Sequence, residues 1–441
     1  MIKKLTNVLM VGSAFATFTS FAFAEAQAPA AKFSGHTSII GYGVSQTQSQ
    51  NGRGGTDPSL AISTSDFRVT VAGKSVTNFG YKYVINFKTI PDQNPMLNRN
   101  YVEFDNNDFG SIQIGVVKGV EDSMPVGPYG LIGGASGMNG FISNGQVFNI
   151  SEGVIQGTNI VGGTDVATKI NWFSPTVEIA KDAGTLQIAF SYTPNTSHRG
   201  KGGKDNGVIG KGHYGNENAI YLDDDSSPVP FGLKNFIYGI TYTNTFNKDY
   251  TVKLNAIGVK EHSRLSYDKP ARKTYAMNRT NSYQVSAMLS VKQWDFAASW
   301  LDNKKSRLLT EELANASATA NNLYLTANGI KSYQGNSGTS WNVGTRYTFG
   351  AYQAAVLYGK TNRKTDATQS ATLDVITTTI DFKALEGLKF FGEVDFLRTK
   401  TNKTQVDAAQ TYYNNPSTKT SNSAVANNTG TVFLAGTKVS F

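Results

Sequence analysis

The sequence predicts an all-β protein, a transmembrane antiparallel β-barrel of about sixteen strands. Three observations carry that expectation. From Lys32 onward the chain breaks into segments of about ten residues in which polar and apolar side chains alternate, the unit of a tilted membrane strand. The links between segments alternate strictly between short and long. After the first 24 residues there is no run of 18 or more apolar residues, so no helix can span a bilayer there. A chain of this kind that crosses a membrane must do so as a closed sheet.

The composition fits. Only 39% of the 441 residues are hydrophobic, which is low for soluble domains that must fill a core. A barrel with a wet interior needs fewer, and 25 Phe and 21 Tyr supply its outer wall. Cysteine is absent, as suits an oxidising compartment. The net charge is +9, two of it from Lys3 and Lys4, and both signs are scattered along the chain. A nucleic-acid binder would cluster that excess.

Residues 1–24 read as a cleaved export signal. Lys3 and Lys4 precede an apolar stretch from about Val8 to Phe23, and Ala22-Phe23-Ala24 supplies small residues at a signal peptidase's spacing. Residues 25–441 are then one barrel domain.

The strands follow in order. Ser34–Gln46 is the first. In Asp66–Gly73, Phe67, Val69 and Val71 alternate with Arg68, Thr70 and Ala72. Tyr81, Tyr83, Ile85 and Phe87 alternate with Lys82, Val84, Asn86 and Lys88. Arg99–Asp105 and Ser111–Val117 precede a long interruption, and Val166–Phe173, Leu186–Tyr192, Phe236–Thr243, Tyr250–Val259, Tyr283–Val291 and Trp294–Trp300 resume the pattern. Trp341–Phe349, Tyr352–Gly359, Thr372–Phe382 and Leu388–Leu397 lead to the closing strand, where Phe433, Ala435, Thr437, Val439 and Phe441 share one face. Short turns on the periplasmic side and long loops outside are the asymmetry of outer-membrane barrels.

Several segments resemble one family. Tyr101-Val102-Glu103-Phe104, then Asp108-Phe109-Gly110-Ser111-Ile112-Gln113-Ile114-Gly115, looks like the strand-turn-strand signature of Gram-negative general porins. Ser65-Asp66-Phe67-Arg68 resembles their second strand, with its pore-wall arginine, and Trp172-Phe173-Ser174-Pro175 resembles the end of the strand after their constriction loop. The order of the motifs is more specific than any one of them.

The resemblance implies a sixteen-stranded barrel, usually a homotrimer, whose third long loop folds inward to narrow the channel. Here that loop is 118–163. Its stretch from Ser123 to Ser151 carries no charge, a departure from the carboxylates such loops usually present, and only Glu121, Asp122 and Glu152 remain as acidic candidates. The facing basic wall transfers through Arg68 by motif. Lys82, Lys169, Lys253, Arg346, Lys389 and Lys438 point inward by alternation. The implied function is passive diffusion of small hydrophilic solutes and ions, with a weak preference for anions, in the outer membrane of a Gram-negative bacterium. Lipid and lipopolysaccharide would surround the barrel, and the assembly machinery would read Phe441, Val439 and Phe433. Ser38, Gly41, Gly43, Ala435 and Gly436 are the small-residue candidates for a trimer contact. A substrate-specific channel and a plugged adhesin or structural barrel are the alternatives.

Other signals do not point to chemistry. Gly202-Gly203-Lys204-Asp205 and Gly210-Lys211-Gly212 lack the spacing of a phosphate-binding loop. Asp223-Asp224-Asp225 reads as a hydrated acidic run, and His36, His198, His213 and His262 show no metal-ligand spacing. No nucleophile sits beside a base, so the expectation is a protein that is not an enzyme and holds no cofactor.

Overall fold

The computed structural model describes residues 29–47, 59–62, 65–74, 79–89, 96–137, 166–195, 229–268, 273–306, 338–364, 370–401 and 427–441. Nineteen strand segments form one antiparallel sheet. They are β1 (Ala30–Gln46), β2 (Ser59–Ile62), β3 (Ser65–Lys74), β4 (Gly80–Thr89), β5 (Met96–Asn106), β6 (Gly110–Val117), β7 (Ala167–Phe173), β8 (Val177–Glu178), β9 (Thr185–Asn195) and β10 (Val229–Phe246). The rest are β11 (Tyr250–Asp268), β12 (Lys273–Met277), β13 (Asn281–Val291), β14 (Trp294–Asp302), β15 (Thr339–Phe349), β16 (Tyr352–Lys364), β17 (Ser370–Leu385), β18 (Leu388–Thr401) and β19 (Asn427–Ser440). β2 and β3 lie end to end along β1, β7 and β8 along β9, and β12 and β13 along β11, so the nineteen segments make sixteen staves.

The sheet closes on itself. β1 pairs with β19 from His36↔Ser440 to Gln46↔Gly430, and the Gly35 and Phe441 backbones exchange hydrogen bonds of 2.9 and 3.0 Å. Among the described residues each stave of the wall pairs on both sides, as hydrocarbon surroundings require. Alternation then sorts side chains radially. On β14, Trp294, Phe296 and Trp300 are exposed on the outside while Ala297, Ser299 and Leu301 are buried inside. Outward aromatics collect at two heights. Trp294, Tyr347, Phe349, Tyr352 and Phe382 form a continuous band at the short-turn end, with ring centroids 4.5–5.6 Å apart. Trp300, Trp341, Tyr358, Tyr192 and Phe236 form the other. From Trp341 to Phe349 the strand rises about 27 Å, or about 20 Å along the membrane normal at ~40° tilt. That is close to the ~25 Å apolar band of outer-membrane barrels.

Tight turns close the short-loop end. Asn247 and Lys248, Lys292, Gly350 and Gly387 take positive φ there, the conformation two-residue hairpin turns demand. β10 and β11 continue well beyond Phe236–Thr243 and Tyr250–Val259, the segments read by alternation, and remain paired to Val229↔Tyr267. Above the lipid the ladder still forms, but no solvent difference enforces alternation. Of the five small residues expected on one outer face, Gly41, Gly43 and Ala435 do face outward. Ser38 and Gly436 face the lumen instead, because an odd spacing from Gly41 or Ala435 reverses the side.

Phe433 lies at mid-strand on the outer face, 53% exposed, whereas Val439 sits near the rim. Phe433→Arg is expected to destabilise the folded barrel by roughly 2–4 kcal/mol, and Val439→Asp by less. Urea titrations of refolded protein in lipid, read by heat-modifiable mobility, check both values and their order.

Candidate functional site

The lumen is narrowed from within. Between β6 and β7 the chain turns inward at Gly119 and forms a one-turn helix, α1 (Val120–Ser123), then a 3-10 turn at Pro128–Gly130. The root of this loop is apolar. Val120 and Met124 pack on Ala189, Ile237, Ile257, Val259 and Leu301 of β9, β10, β11 and β14, and the Val120 amide donates to Ser191 Oγ at 2.8 Å. Beyond it the loop tracks the inner wall. Tyr129 hydroxyl donates to Asn342 Oδ1 on β15 at 3.0 Å. Burial holds that phenol well above its usual pKa, so it stays a donor.

The next stretch explains the missing charges. Gly133 amide donates to Thr379 Oγ1 (3.3 Å) and Gly134 amide to Asp381 Oδ1 (2.8 Å). Ala135 and Gly137 amides donate to the two oxygens of Glu393, at 2.7 and 3.1 Å. The carboxylates are on the wall and the loop meets them with bare backbone. A Cβ at Gly133 would fall on the Asp381 carboxylate, and one at Gly134, whose φ is +55°, would strike Glu393. Glycine is required at both.

The sequence-predicted site residues that the structure describes have definite places. Arg346 donates from Nε and Nη2 to Asp295 Oδ2 at 2.9 and 2.7 Å, and from Nη1 to the Gly130 carbonyl at 3.4 Å. Lys389 pairs with Asp381 at 2.9 Å. Both therefore brace the loop. Lys82 pairs with Glu103 at 2.5 Å, and Glu103 also accepts from Gln113. Asp122 pairs with Lys118 at 3.3 Å. Glu121 is buried in α1, and Lys169, only 1% exposed, is enclosed in the β7 wall. Glu152 and residues 138–163 of the loop lie outside the described residues, as do 202–212, 223–225, His198 and His213. Val439, Phe433 and Phe441 are exposed on the outer face.

Arg68 differs from these paired cations, as do Lys253 and Lys438, which also have no ion pair among the described residues. Arg68 projects from β3 into the lumen, is exposed, and makes no ion pair among the described residues. Arg99 on β5 also faces inward without an ion pair among the described residues, but it is half-buried, and it was not singled out from sequence. Counting back in twos from Glu103 places it inward, so the signal was present. Among the described residues the loop's hydrogen bonds reach the wall from β9 round to β18, and Arg68 and Arg99 stand on β3 and β5, outside those contacts.

A closed membrane barrel with two aromatic bands and a passage narrowed by an infolded loop defines a transmembrane channel. The chain belongs to the Gram-negative porin family, whose model matches residues 12–428. It is an outer-membrane channel for passive diffusion. Comparison with curated proteins by sequence finds no match. Among solved structures it is similar to an anion-selective porin from Comamonas acidovorans (TM-score 0.53, 9% identity, covering 94% of this chain and 100% of that one). It is also similar to the trimer form of OmpT, an outer membrane protein of Vibrio cholerae (TM-score 0.52, 9% identity, covering 94% and 100%).

Glu393→Ala removes both acceptors that hold Ala135 and Gly137. The expected result is a noisier open state with larger mean single-channel conductance in planar bilayers, while heat-modifiability stays that of the parent. An unchanged conductance would show that the loop does not depend on this anchor.

Proposed function

We propose that this porin favours anions weakly, and that Arg68 supplies much of the preference. The observation that carries the reading is the unequal fate of the lumenal charges. Asp295, Asp381 and Glu103 each have a cation within 2.9 Å, and Glu393 and Asp395 are buried where the loop lies on the wall. Arg68, on β3, has no ion pair among the described residues. A low-dielectric passage with one sign of charge concentrates the opposite ion, and screening over ~8 Å at physiological salt limits the contribution of distant groups. The Comamonas acidovorans porin with the same fold is described as anion-selective. Zero-current potentials in a potassium chloride gradient test the reading. Arg68→Ala should reduce the anion preference and Arg68→Glu should reverse it. Clear cation selectivity of the parent channel in dilute salt would overturn it.

The reading extends to the protein's surroundings. Residues 1–24 act as a cleaved leader, the solutes are small and hydrophilic, and the barrel works without catalysis or cofactor. The strand ending in Phe441 is the assembly signal, and lipopolysaccharide surrounds the outer wall. The barrel works as a homotrimer, a state described for the OmpT structure. Gly41, opposite Ala435 on the outer face, and Gly43, where a Cβ would meet nothing, make the low-relief surface that supports this contact. Gly41→Trp should shift native mass spectra from trimer to monomer while leaving each barrel folded. A parent protein that is monomeric in mild detergent would count against the trimer.

A further inference from the structure

On the outer wall, β16 and β18 share a pattern. Both strands leave a tight turn, at Gly350 and Gly387, and run toward the long-loop end. Their outward side chains change character in the same order along the way. On β16 that order is Val356, Tyr358, Lys360, and on β18 it is Val394, Phe396, Arg398, Lys400. Apolar groups give way to an aromatic and then to cations, each step about 6.6 Å along the strand. A bilayer leaflet has the same order from tails to head groups, with aromatic rings at the boundary.

The cations make one patch. β17 lies between the two staves and places Asp374 opposite Lys360 on one side and opposite Arg398 on the other. Lys360 and Arg398 are therefore two strand spacings, about 10 Å, apart. Asp374 is engaged on the β16 side, where it accepts from the Tyr358 hydroxyl at 2.9 Å and pairs with Lys360 at 3.6 Å. Arg398 and Lys400 are exposed and make no ion pair among the described residues. Beside them stand short, uncharged hydrogen-bonding groups, Thr429 opposite Arg398, and Thr372 and Asn427 opposite Lys400. The other end of the β17–β18 hairpin differs. There Lys383 is already paired with Glu386 at 2.8 Å. Unbalanced positive charge on these staves thus belongs to the long-loop end, where it attracts anionic head groups over a short range.

We infer that Lys360, Arg398 and Lys400 form a docking surface for the head group of a phosphorylated glycolipid in the leaflet at the long-loop end. Arg398 offers phosphate oxygens a planar fork, and the lysines add point charges. Thr372, Asn427 and Thr429 exchange hydrogen bonds with sugar hydroxyls, while the acyl chains run down over Phe396 and Val394. A free phosphate ion would gain the charge contacts but not the apolar one. The docking surface rests on the reading that lipopolysaccharide surrounds the outer wall, and adds to it a saturable site with named residues.

Lipid A and its dephosphorylated form are the probes, titrated into the folded, full-length protein in mild detergent and counted by native mass spectrometry. The parent should bind the phosphorylated form saturably and more tightly than the dephosphorylated one. Arg398→Gln and Lys400→Gln should each weaken binding roughly fivefold, the contribution of one basic side chain near an anionic lipid surface. Lys383→Gln, at the short-turn end, should leave binding unchanged. An equal concentration of inorganic phosphate should not displace the lipid. Saturable binding that neither Arg398→Gln nor Lys400→Gln weakens would overturn the docking surface while leaving the glycolipid surroundings intact. A parent that binds no lipid A would remove both. Equal affinity for the dephosphorylated form, or displacement by inorganic phosphate, would also overturn the docking surface. So would loss of oligomer at unchanged lipid affinity, which would make the patch a contact between copies of the chain. Both glutamine variants sit at exposed positions above the lipid, and unchanged heat-modifiable mobility shows that each has folded.

Discussion

Everything in this molecule depends on one constraint: within hydrocarbon, each backbone N–H and C=O must find its partner inside the protein. β1 has to meet β19, and the eleven-residue register from His36 to Gln46 is where that condition is met. Closure fixes two surfaces at once. Outward positions see only lipid and carry Trp, Phe, Ile and Val. Inward positions see water and the infolded loop, so they carry Asn, Ser, Thr and charge. Aromatic bands, short turns and the polar lumen are consequences of that division.

Inside the barrel the same requirement reappears on a smaller scale. The loop brings its own backbone amides into the lumen, and in 133–137 they have no secondary structure to pair with. Asp381, Glu393 and Thr379 accept them from the wall. Asp381, ion-paired with Lys389, is a charged acceptor, and charged acceptors make such bonds stronger than neutral ones. A loop bearing its own carboxylates could not be held this way, because like charges would face each other across the contact. An uncharged, glycine-rich loop and an acidic wall are therefore two halves of one arrangement.

The barrel was legible because its signals are local and repeated. A period of two, a turn and another period of two identify a strand pair wherever they occur, and Phe67, Val69 and Val71 or Phe433, Ala435 and Thr437 show it without reference to any other part of the chain. The inward face was legible for the same reason, including Arg68. The sequence did not disclose which inward charge meets which. Arg346 and Asp295 are 51 residues apart, and Gly134 and Asp381 are 247 apart. Such pairings depend on where the loop lies, and nothing in Gly-Gly-Ala-Ser-Gly says which wall will accept it. Ser38 and Gly436 show a smaller limit. Composition alone grouped them with Gly41 and Ala435, but parity separates them.

The proposed reading assigns width and charge of the passage to different residues. Width follows from how firmly the loop lies against β9–β18, through the apolar root at Val120 and Met124 and the amide contacts at Asp381 and Glu393. On the proposed reading, charge follows from β3, where Arg68 has no ion pair among the described residues. Each anchoring acid is spent within its own contact, by an ion pair or by amide donors, so its field across the lumen is weak. A loop that carried its own acids would couple the two properties, since moving it would change bore and potential together. On the proposed reading, a solute's size is judged against an uncharged loop surface and its sign against the wall of β3, so that either could change by substitution without disturbing the other.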